Sequence, residues 1–362
     1  SIEAQAYYDR TYRNEAMRSQ SAMDTIDLSL QHTFGLGERN DVIWGLGYRF
    51  IANENRQTTP LAVVRNSSFD RQLFSAFVQD EFKIVPDRFT VTAGTKLEHN
   101  DYTGFEIQPS VRAVFKPTEH QTLWAAVSRA VRTPDDIEAS DAFAIAIGAP
   151  FTGPGGGQYL PTLVSGSDLK SETLLAYEAG YRVQPCNRLS VDIAAFYNDY
   201  RDLTGFGSIS KFTPGTPYGT AEIPWVNSQN GHTYGFEASV TVTPMDNLRV
   251  IASYSLLRGN VHGVTDNADD PDPQQQVVLR SAYDFTKHAS LDAQLRYVGQ
   301  FDGVPPYVTA DIRLSYRPTD RLELSLVGQN LFQDRHLEQA GVPLTVTAEI
   351  PRGFYGKITW RF

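Results

Sequence analysis

Apolar and polar side chains alternate along most of this chain. In the segment 191–198, Val191 and Ile193 alternate with Asp192 and with other residues of the opposite face. The segment 307–316 repeats the pattern, with Asp311 and Arg313 on its polar side. A period of two residues places successive side chains on opposite faces of a β-strand. The pattern therefore predicts strands that have one apolar and one polar face.

The pattern recurs in about sixteen segments, an even number, as is typical of bacterial membrane barrels. Most of them are roughly nine to thirteen residues long, and a tilted strand crosses a bilayer in about nine to eleven. Because hydrocarbon does not tolerate charges, we expect the apolar faces to contact lipid and the polar faces to line a watery lumen. The predicted strands lie near 2–12, 24–34, 41–50, 70–84, 87–99, 105–116, 119–128, 172–183, 188–200, 232–243, 246–257, 274–286, 288–299, 306–316, 320–330 and 350–362.

The connections between these segments alternate between short and mostly long. Outer-membrane barrels have short periplasmic turns and longer outside loops, so both chain ends are expected on the periplasmic side. A soluble array of β-sandwiches would explain the alternating faces, but not this order of links or strands this long. We therefore predict an all-β fold, a transmembrane antiparallel β-barrel in the bacterial outer membrane, formed by a single domain over residues 1–362. The long links are predicted at 13–23, 51–69, 100–104, 129–171, 201–231, 258–273, 300–305 and 331–349.

The composition excludes several classes of protein. Hydrophobic residues make up 41% of the chain and the mean hydropathy is −0.34, as in many water-soluble proteins. No run of about 18 apolar residues occurs, which excludes a helical membrane span. Aromatic residues make up 12% of the chain, which suits the aromatic girdles of a barrel. The net charge of −10 argues against a nucleic-acid partner, since neutralising phosphates needs a basic surface.

Motifs for catalysis, disulfides and export are missing. Cys186 is the only cysteine, so an internal disulfide and a thiolate metal site are excluded. No nucleophile motif or metalloprotease motif occurs, so we predict no enzyme activity, no cofactor and no resident metal. The chain opens without the charged and apolar parts of a signal peptide, so we expect a mature or truncated product.

The last segment, Pro351 to Phe362, has an apolar face and ends on an aromatic residue. Such a closing strand resembles the assembly signal of bacterial outer-membrane β-barrels. The resemblance implies that Trp360 and Phe362 are read by the outer-membrane barrel assembly machinery.

Four further segments carry a resemblance to the C-terminal part of TonB-dependent outer-membrane receptors. They are V-G-Q-N-L-F-Q-D-R-H at 327–336, W-A-A-V-S-R-A-V-R-T-P at 124–134, L-K-S-E-T-L-L-A-Y-E-A-G-Y-R at 169–182 and L-S-V-D-I-A-A-F-Y-N-D-Y-R-D-L at 189–203. The resemblance implies a 22-stranded barrel with an N-terminal plug. The plug and about six strands would then be missing from the front of this chain.

The resemblance implies a receptor that captures a scarce nutrient, such as an iron–siderophore chelate, cobalamin or an oligosaccharide, and moves it inward with the TonB system. Two other functions stay open. A closed barrel of about sixteen strands would suit a porin that conducts ions passively. A structural or adhesive barrel would show neither tight binding nor conductance.

Two arginines sit where a predicted strand reaches the longest link. Arg129 and Arg132 are candidates to bind an anionic group of a ligand through charge-assisted hydrogen bonds. The alternative is that they pair with the nearby acidic residues Asp135, Asp136 or Glu138.

Aromatic residues in the long links are the second set of candidates. Phe206, Tyr218 and Trp225 are expected either to stack on a ring of the ligand or to pack on one another, together with Phe212. Tyr159 is a further candidate; it ends the glycine-rich stretch that starts at Gly153, which lacks the strand-to-helix context of a phosphate loop.

The link near residues 262–272 is acidic. It contains His262, a candidate ligand contact, and the carboxylates Asp266, Asp269, Asp270 and Asp272. Carboxylate oxygens are ligands that Ca²⁺ prefers, but their spacing does not match an EF-hand. The alternative to a calcium site is a solvated acidic tip.

Overall fold

The computed structural model describes residues 1–14, 19–57, 62–64, 67–140, 143–263, 268–269, 274–301, 303–339 and 347–362. One α-helix of four residues, α1 (Asp136–Ala139), and one 3₁₀ helix (Pro154–Gly156) occur in this part of the chain. Neither of these described helices has the length and apolarity needed to cross a membrane.

The rest of the regular structure is β-strand. The strands are β1 (Ile2–Asn14), β2 (Ser19–Leu36), β3 (Asn40–Gln57), β4 (Ala62–Val64), β5 (Ser68–Val85), β6 (Phe89–Asn100), β7 (Gly104–Thr118), β8 (Gln121–Arg132), β9 (Phe143–Ala146), β10 (Phe151–Thr152), β11 (Gln158–Val164), β12 (Glu172–Cys186), β13 (Leu189–Phe206), β14 (Lys211–Thr213), β15 (Gly219–Met245), β16 (Leu248–Gly263), β17 (Ala268–Asp269), β18 (Gln275–Asp284), β19 (Ala289–Val298), β20 (Tyr307–Thr319), β21 (Leu322–Gln329), β22 (Arg335–Gln339), β23 (Ala348–Pro351) and β24 (Gly353–Trp360).

Sixteen long strands form one antiparallel sheet in chain order. Each pairs with the next in the order β1, β2, β3, β5, β6, β7, β8, β12, β13, β15, β16, β18, β19, β20, β21 and β24. The eight remaining short strands lie in the links between them. The prediction of about sixteen long antiparallel strands is confirmed.

Short and longer links alternate, as the sequence predicts. Residues 37–39, 86–88, 119–120, 187–188, 246–247, 285–288 and 320–321 make the short turns at one end of the sheet. The opposite end, which we call the rim, carries the longer links, including 133–171, 207–218 and 330–352. The link 101–103 is the shortest at the rim, and no regular structure separates its two strands.

The two faces of the sheet differ in chemistry. Ile312 and Leu314 of β20 are exposed on the apolar face. On the opposite face, Arg313 lies 3.7 Å from Asp292 and donates a hydrogen bond to Glu323. Arg317 also donates to Glu323, over 2.9 Å. Ion pairs on one face and exposed aliphatic side chains on the other match the predicted lumen and lipid faces.

Several strands reach further than the sequence predicts. β15 has 27 residues and begins at Gly219, whereas the predicted strand begins near 232. Its first six residues, 219–224, pair outside the main sheet, with β11 and β14, so their faces lack the apolar side that membrane contact would impose. The long link predicted at 129–171 begins later, at 133, because β8 continues to Arg132, and it contains α1, β9, β10 and β11.

The first and last strands are the edges of the sheet. Among the described strands, β1 pairs only with β2 and β24 only with β21. Every residue of β1 is exposed. Trp360 is 59% exposed and Phe362 is fully exposed, so both aromatic side chains are accessible. Their role in assembly stays a prediction.

Candidate functional site

Arg132 holds two carboxylates at the rim. As the last residue of β8 it lies opposite Glu172, the first residue of β12. Its guanidinium donates to Glu172 over 2.6 and 2.7 Å and to Glu138 of α1 over 2.9 and 3.0 Å. The expected alternative of pairing with Glu138 is therefore what the structure has. Glu172, which sequence reasoning missed, could have been found as the acid that opens the predicted strand 172–183.

Arg129 occupies a different place. The pairing of β7 with β8 ends at Ser110 opposite Ser128, just before Arg129. Arg129 donates a hydrogen bond to the backbone carbonyl of Ile107, and its guanidinium lies 3.9 Å from the Glu106 carboxylate. Arg129 thus satisfies a carbonyl where the two strands separate, and it does not pair with Asp135, Asp136 or Glu138.

Helix α1 is fixed to the strands around it by Asp136. This carboxylate accepts hydrogen bonds from the Tyr102 hydroxyl over 2.7 Å and from the Asn53 amide over 3.3 Å. Arg71 lies 3.0 Å from it. Burial raises the pKa of Asp136 above its ordinary value of 3.8, while the bond from Tyr102 and the charge of Arg71 act in the opposite direction. Asp135 caps the helix, and its side chain accepts from the backbone N–H groups of Ile137 and Glu138.

Short strands from three links form a second sheet above the long strands, which we call the loop sheet. It is ordered β4, β9, β11, the start of β15, and β14, with β10 paired to the beginning of β11. The pairing of β11 with β15 is parallel and runs from Tyr159 opposite Gly219 to Val164 opposite Pro224. Backbone hydrogen bonds therefore join three links that are far apart in sequence.

Tyr159 lies inside the loop sheet. Its residue is only 5% exposed, and its ring packs edge-on against Phe212 with the ring centres 5.0 Å apart. Phe151 packs on the same Phe212 ring at 6.3 Å. The Tyr159 hydroxyl donates to the Pro154 carbonyl over 3.3 Å. A ring enclosed in this way supports the fold of the links, and direct contact with a ligand would require the loop sheet to open.

Phe206 and Trp225 form an aromatic pair at the rim. They are cross-strand neighbours at the ends of β13 and β15, and their ring centres are 4.9 Å apart. Phe206 is 37% exposed and Trp225 is half-buried. The indole N–H of Trp225 has no hydrogen-bond partner among the described residues. The pair thus presents the accessible ring of Phe206, while the unused indole donor of Trp225 is buried beside it.

Lys170 lies beside this pair and was missed in the sequence. Its backbone N–H donates to the Asn227 side chain over 2.8 Å, and its carbonyl accepts from the same amide over 3.1 Å. Asn227 is two residues from Trp225 in β15. Lys170 is exposed and forms no ion pair within the described part of the chain. The lysine within L-K-S-E-T, directly before a predicted strand, was the available signal.

The other candidates lie apart from the aromatic pair. Tyr218 is 46% exposed and directly precedes β15. His262 is exposed near the end of β16, opposite Asn230. Asp266, Asp270 and Asp272 lie outside the described residues, so the calcium hypothesis stays a prediction. Within the residues that the structure describes, no group of three or more His, Cys, Asp or Glu side chains is placed to hold a metal ion.

One apolar groove lies away from the rim. It has a volume of about 620 Å³ and lies on the apolar face of the sheet around Leu28, Tyr48 and Phe74. Its walls are almost entirely apolar and it faces away from the ion pairs of the polar face, so we assign it to the lipid-facing surface.

Known proteins resemble the chain in sequence. A family profile described as "TonB dependent receptor-like, beta-barrel" matches residues 2–331. The ferric enterobactin receptor of Pseudomonas aeruginosa is 25% identical over 300 residues, which are 76% of this chain and 39% of that protein. An iron-regulated outer membrane virulence protein of Vibrio cholerae is 25% identical over 185 residues, or 50% of this chain and 26% of that protein. The chain thus spans well under half the length of these curated relatives.

Solved structures share its fold. A mutant ferric enterobactin receptor from Pseudomonas aeruginosa in complex with enterobactin superposes with a TM-score of 0.79 at 21% identity, covering 99% of this chain and 59% of that one. The siderophore receptor PirA from Acinetobacter baumannii gives 0.76 at 18% identity, with 95% and 55% covered. The copper transporter OprC gives 0.71 at 17% identity, with 95% and 57% covered. At these identities the likeness concerns the fold alone.

Proposed function

Because the chain belongs to the TonB-dependent receptor β-barrel family of the outer membrane, we propose that it is part of the wall of a receptor that takes up a ferric siderophore. The sequence relatives named above are a ferric enterobactin receptor and an iron-regulated protein, which supports iron as the cargo. A copper transporter has the same fold, so the identity of the cargo depends on the rim of this chain.

One observation carries the proposal, namely the Phe206–Trp225 pair. An aromatic chelating group stacks favourably on such rings, and aromatic pairs contribute about 0.5–1.5 kcal/mol beyond the burial of their area. The backbone of Lys170 is bonded to Asn227, two residues from Trp225, and an exposed cation at the edge of a site speeds the encounter with an anionic ligand.

The chain itself performs no bond chemistry in this proposal. Its polar face lines the path, its apolar face seals against lipid, and its rim selects the ligand. The edges β1 and β24 pair with strands of the remaining barrel, because unpaired backbone groups in hydrocarbon cost several kcal/mol each. A plug blocks the lumen until the TonB system moves it. Family membership does not favour the porin alternative.

The test uses the full-length receptor in outer-membrane vesicles and ferric enterobactin as the probe. We expect saturable binding that weakens about 3- to 10-fold in Trp225→Ala and in Phe206→Ala, since each change removes one ring of the pair. Phe82→Ala, a change on the lipid-facing side of β5, is the matched control and should leave binding unchanged. Unaltered affinity in both rim variants would contradict the Phe206–Trp225 pair as the binding site. Passive conductance in lipid bilayers without ligand binding would support the porin hypothesis instead.

A further inference from the structure

Arg132 binds the carboxylates of Glu172 and Glu138, and each of these residues also has a second partner. One of them, Glu172, also accepts a hydrogen bond from the backbone N–H of Thr204 over 2.8 Å. Thr204 is two residues before Phe206 and directly follows an irregular part of β13, where the register with β15 shifts. Asp202 in this part has a φ of 55°, in the left-handed region. The irregularity separates the end of β13, which pairs with β15 from Thr204 to Phe206, from the rest of the strand, and the Glu172 carboxylate adds a charged anchor there.

The second carboxylate leads to Trp225. Glu138 accepts from Arg132 through its side chain, and its backbone carbonyl accepts from the N–H of Gly166 over 2.8 Å. Gly166 lies directly against the backbone of Trp225, since a Cβ atom at this glycine would be 2.2 Å from the Trp225 carbonyl oxygen. The position of α1 is thus transmitted by backbone contact to the strand that carries Trp225.

Arg132 is fully engaged in these bonds. Its Nε, Nη1 and Nη2 atoms all donate to the two carboxylates, which are largely buried, with side-chain exposures of 10% for Glu138 and 16% for Glu172. An anionic ligand would have to compete with two nearby negative charges for the guanidinium. Arg132 therefore suits a role in holding other residues in place better than a role in contacting the ligand.

We infer that Arg132 is a positioning residue, which sets the Phe206–Trp225 pair through Glu172 and Thr204 on one side and through Glu138 and Gly166 on the other. The inference rests on the proposed function for its effect on binding, but the placement of the Trp225 ring can be measured without any ligand. Loss of Arg132 loosens both connections, the one through Glu172 to the strand of Phe206 and the one through Glu138 to the strand of Trp225. It also leaves two carboxylates without their shared cation.

The experiment uses full-length receptor labelled with 5-fluorotryptophan, in detergent or nanodiscs. The ¹⁹F resonance of Trp225 is assigned by its loss in Trp225→Phe. In ligand-free protein, Arg132→Gln should shift or broaden this resonance. Affinity for ferric enterobactin should fall about tenfold, or about 1.4 kcal/mol. Arg132→Lys should recover only part of the loss, because one ammonium group cannot make two forked contacts.

Matched variants separate positioning from general damage. Arg201→Gln removes an ion pair with Asp199 three residues from Thr204, and it should move neither the resonance nor the affinity. Gly166→Ala pushes on the Trp225 carbonyl from the other side, so it should shift the resonance with Arg132 intact. The folding of each variant is checked by the migration of unheated samples on gels. If Arg132→Gln does not fold, Gly166→Ala tests whether the position of Gly166 sets the Trp225 ring.

The outcomes are distinct. A weaker affinity with an unchanged Trp225 resonance would mean that Arg132 contacts the ligand, which overturns the inference. Unchanged affinity and resonance would overturn it as well. If the unmutated receptor binds no ferric siderophore, the proposed function fails, while the resonance shift in ligand-free protein still decides whether Arg132 positions Trp225.

Discussion

The hydroxyl of Tyr102 donates a 2.7 Å hydrogen bond to the carboxylate of Asp136, and this bond ties α1 to the rim link between β6 and β7. Burial, followed by the bond to Asp136 and its charge, raises the pKa of Tyr102, so the hydroxyl keeps its proton at every physiological pH. The longest link of the chain is thus anchored to the wall by a donor that does not titrate away.

We expect Tyr102→Phe to loosen this link. Removing the hydroxyl leaves Asp136 half-buried with one donor fewer, and hydrogen bonds to charged groups contribute about 1.5–3 kcal/mol. Faster amide hydrogen exchange across residues 136–140, compared with the unmutated receptor, would report the loss. Tyr48→Phe is the control, since its hydroxyl bond to Gln72 is exposed and 3.2 Å long. Equal exchange in both variants would contradict an anchoring role for Tyr102.

Tyr159→Ala should unfold the loop sheet locally. An enclosed aromatic side chain truncated to alanine costs about 3–5 kcal/mol, and this ring fills the space between Phe212 and the glycine-rich turn. Hydrogen exchange should lose protection over β9 and β11 while the long strands keep theirs. Tyr159→Phe removes only a 3.3 Å bond to a backbone carbonyl and should behave like the unmutated protein. Retained protection in Tyr159→Ala would show that backbone pairing alone maintains the sheet.

The hairpin of β22 and β23 should loosen in acid. Burial opposes the charge of Glu338, but hydrogen bonds and charges from His336 and Arg296 outweigh it and lower the pKa of Glu338 below its ordinary value of 4.5. The Tyr307 hydroxyl is the remaining neighbour, at 3.4 Å. Because the folded pKa is depressed, the stabilisation is present above pH 4.5 and is lost as the pH falls through the folded pKa.

A nitroxide label on Gln339→Cys, in a Cys186→Ser background, measures this loosening. Its spectrum should become more mobile as the pH falls below about 4.5. Glu338→Gln should give a mobile spectrum at all pH values, since the amide lacks the charge that Arg296 holds at 2.6 Å. A label whose mobility follows pH equally in both proteins would show that another group titrates.

Lys170→Glu should weaken binding of an anionic ferric chelate. Reversing a charge at the edge of a site acts mainly on the association rate and is screened by salt, so the effect should shrink at high ionic strength. Stopped-flow association with ferric enterobactin at two salt concentrations measures it. Lys287→Glu, in the short turn 285–288 at the opposite end of the sheet, is the matched control. Equal association rates in both variants would contradict a role of Lys170 in ligand binding.

The sheet of sixteen long strands could be predicted from the sequence, and the arrangement of the links at the rim could not. Alternation such as that around Asp311 and Arg313 follows from the pleat of a strand between lipid and water. At the rim both faces are free of lipid, so β11 and the start of β15 carry no such period. Arg132 and Glu138 are close in sequence and their pairing was an expected alternative, whereas Glu172 is 40 residues away and meets Arg132 only through strand pairing.

β15 continues without a break from the short turn at 246–247 to the loop sheet at Gly219. At about 3.3 Å per residue it is long enough to cross a bilayer and to extend well beyond it. Because it is paired with β13 and β16 below and with β11 and β14 above, bending it breaks hydrogen bonds to its neighbours. β15 therefore holds the loop sheet rigidly above the long strands. A ligand that arrives at this side of the rim meets a surface that is already formed.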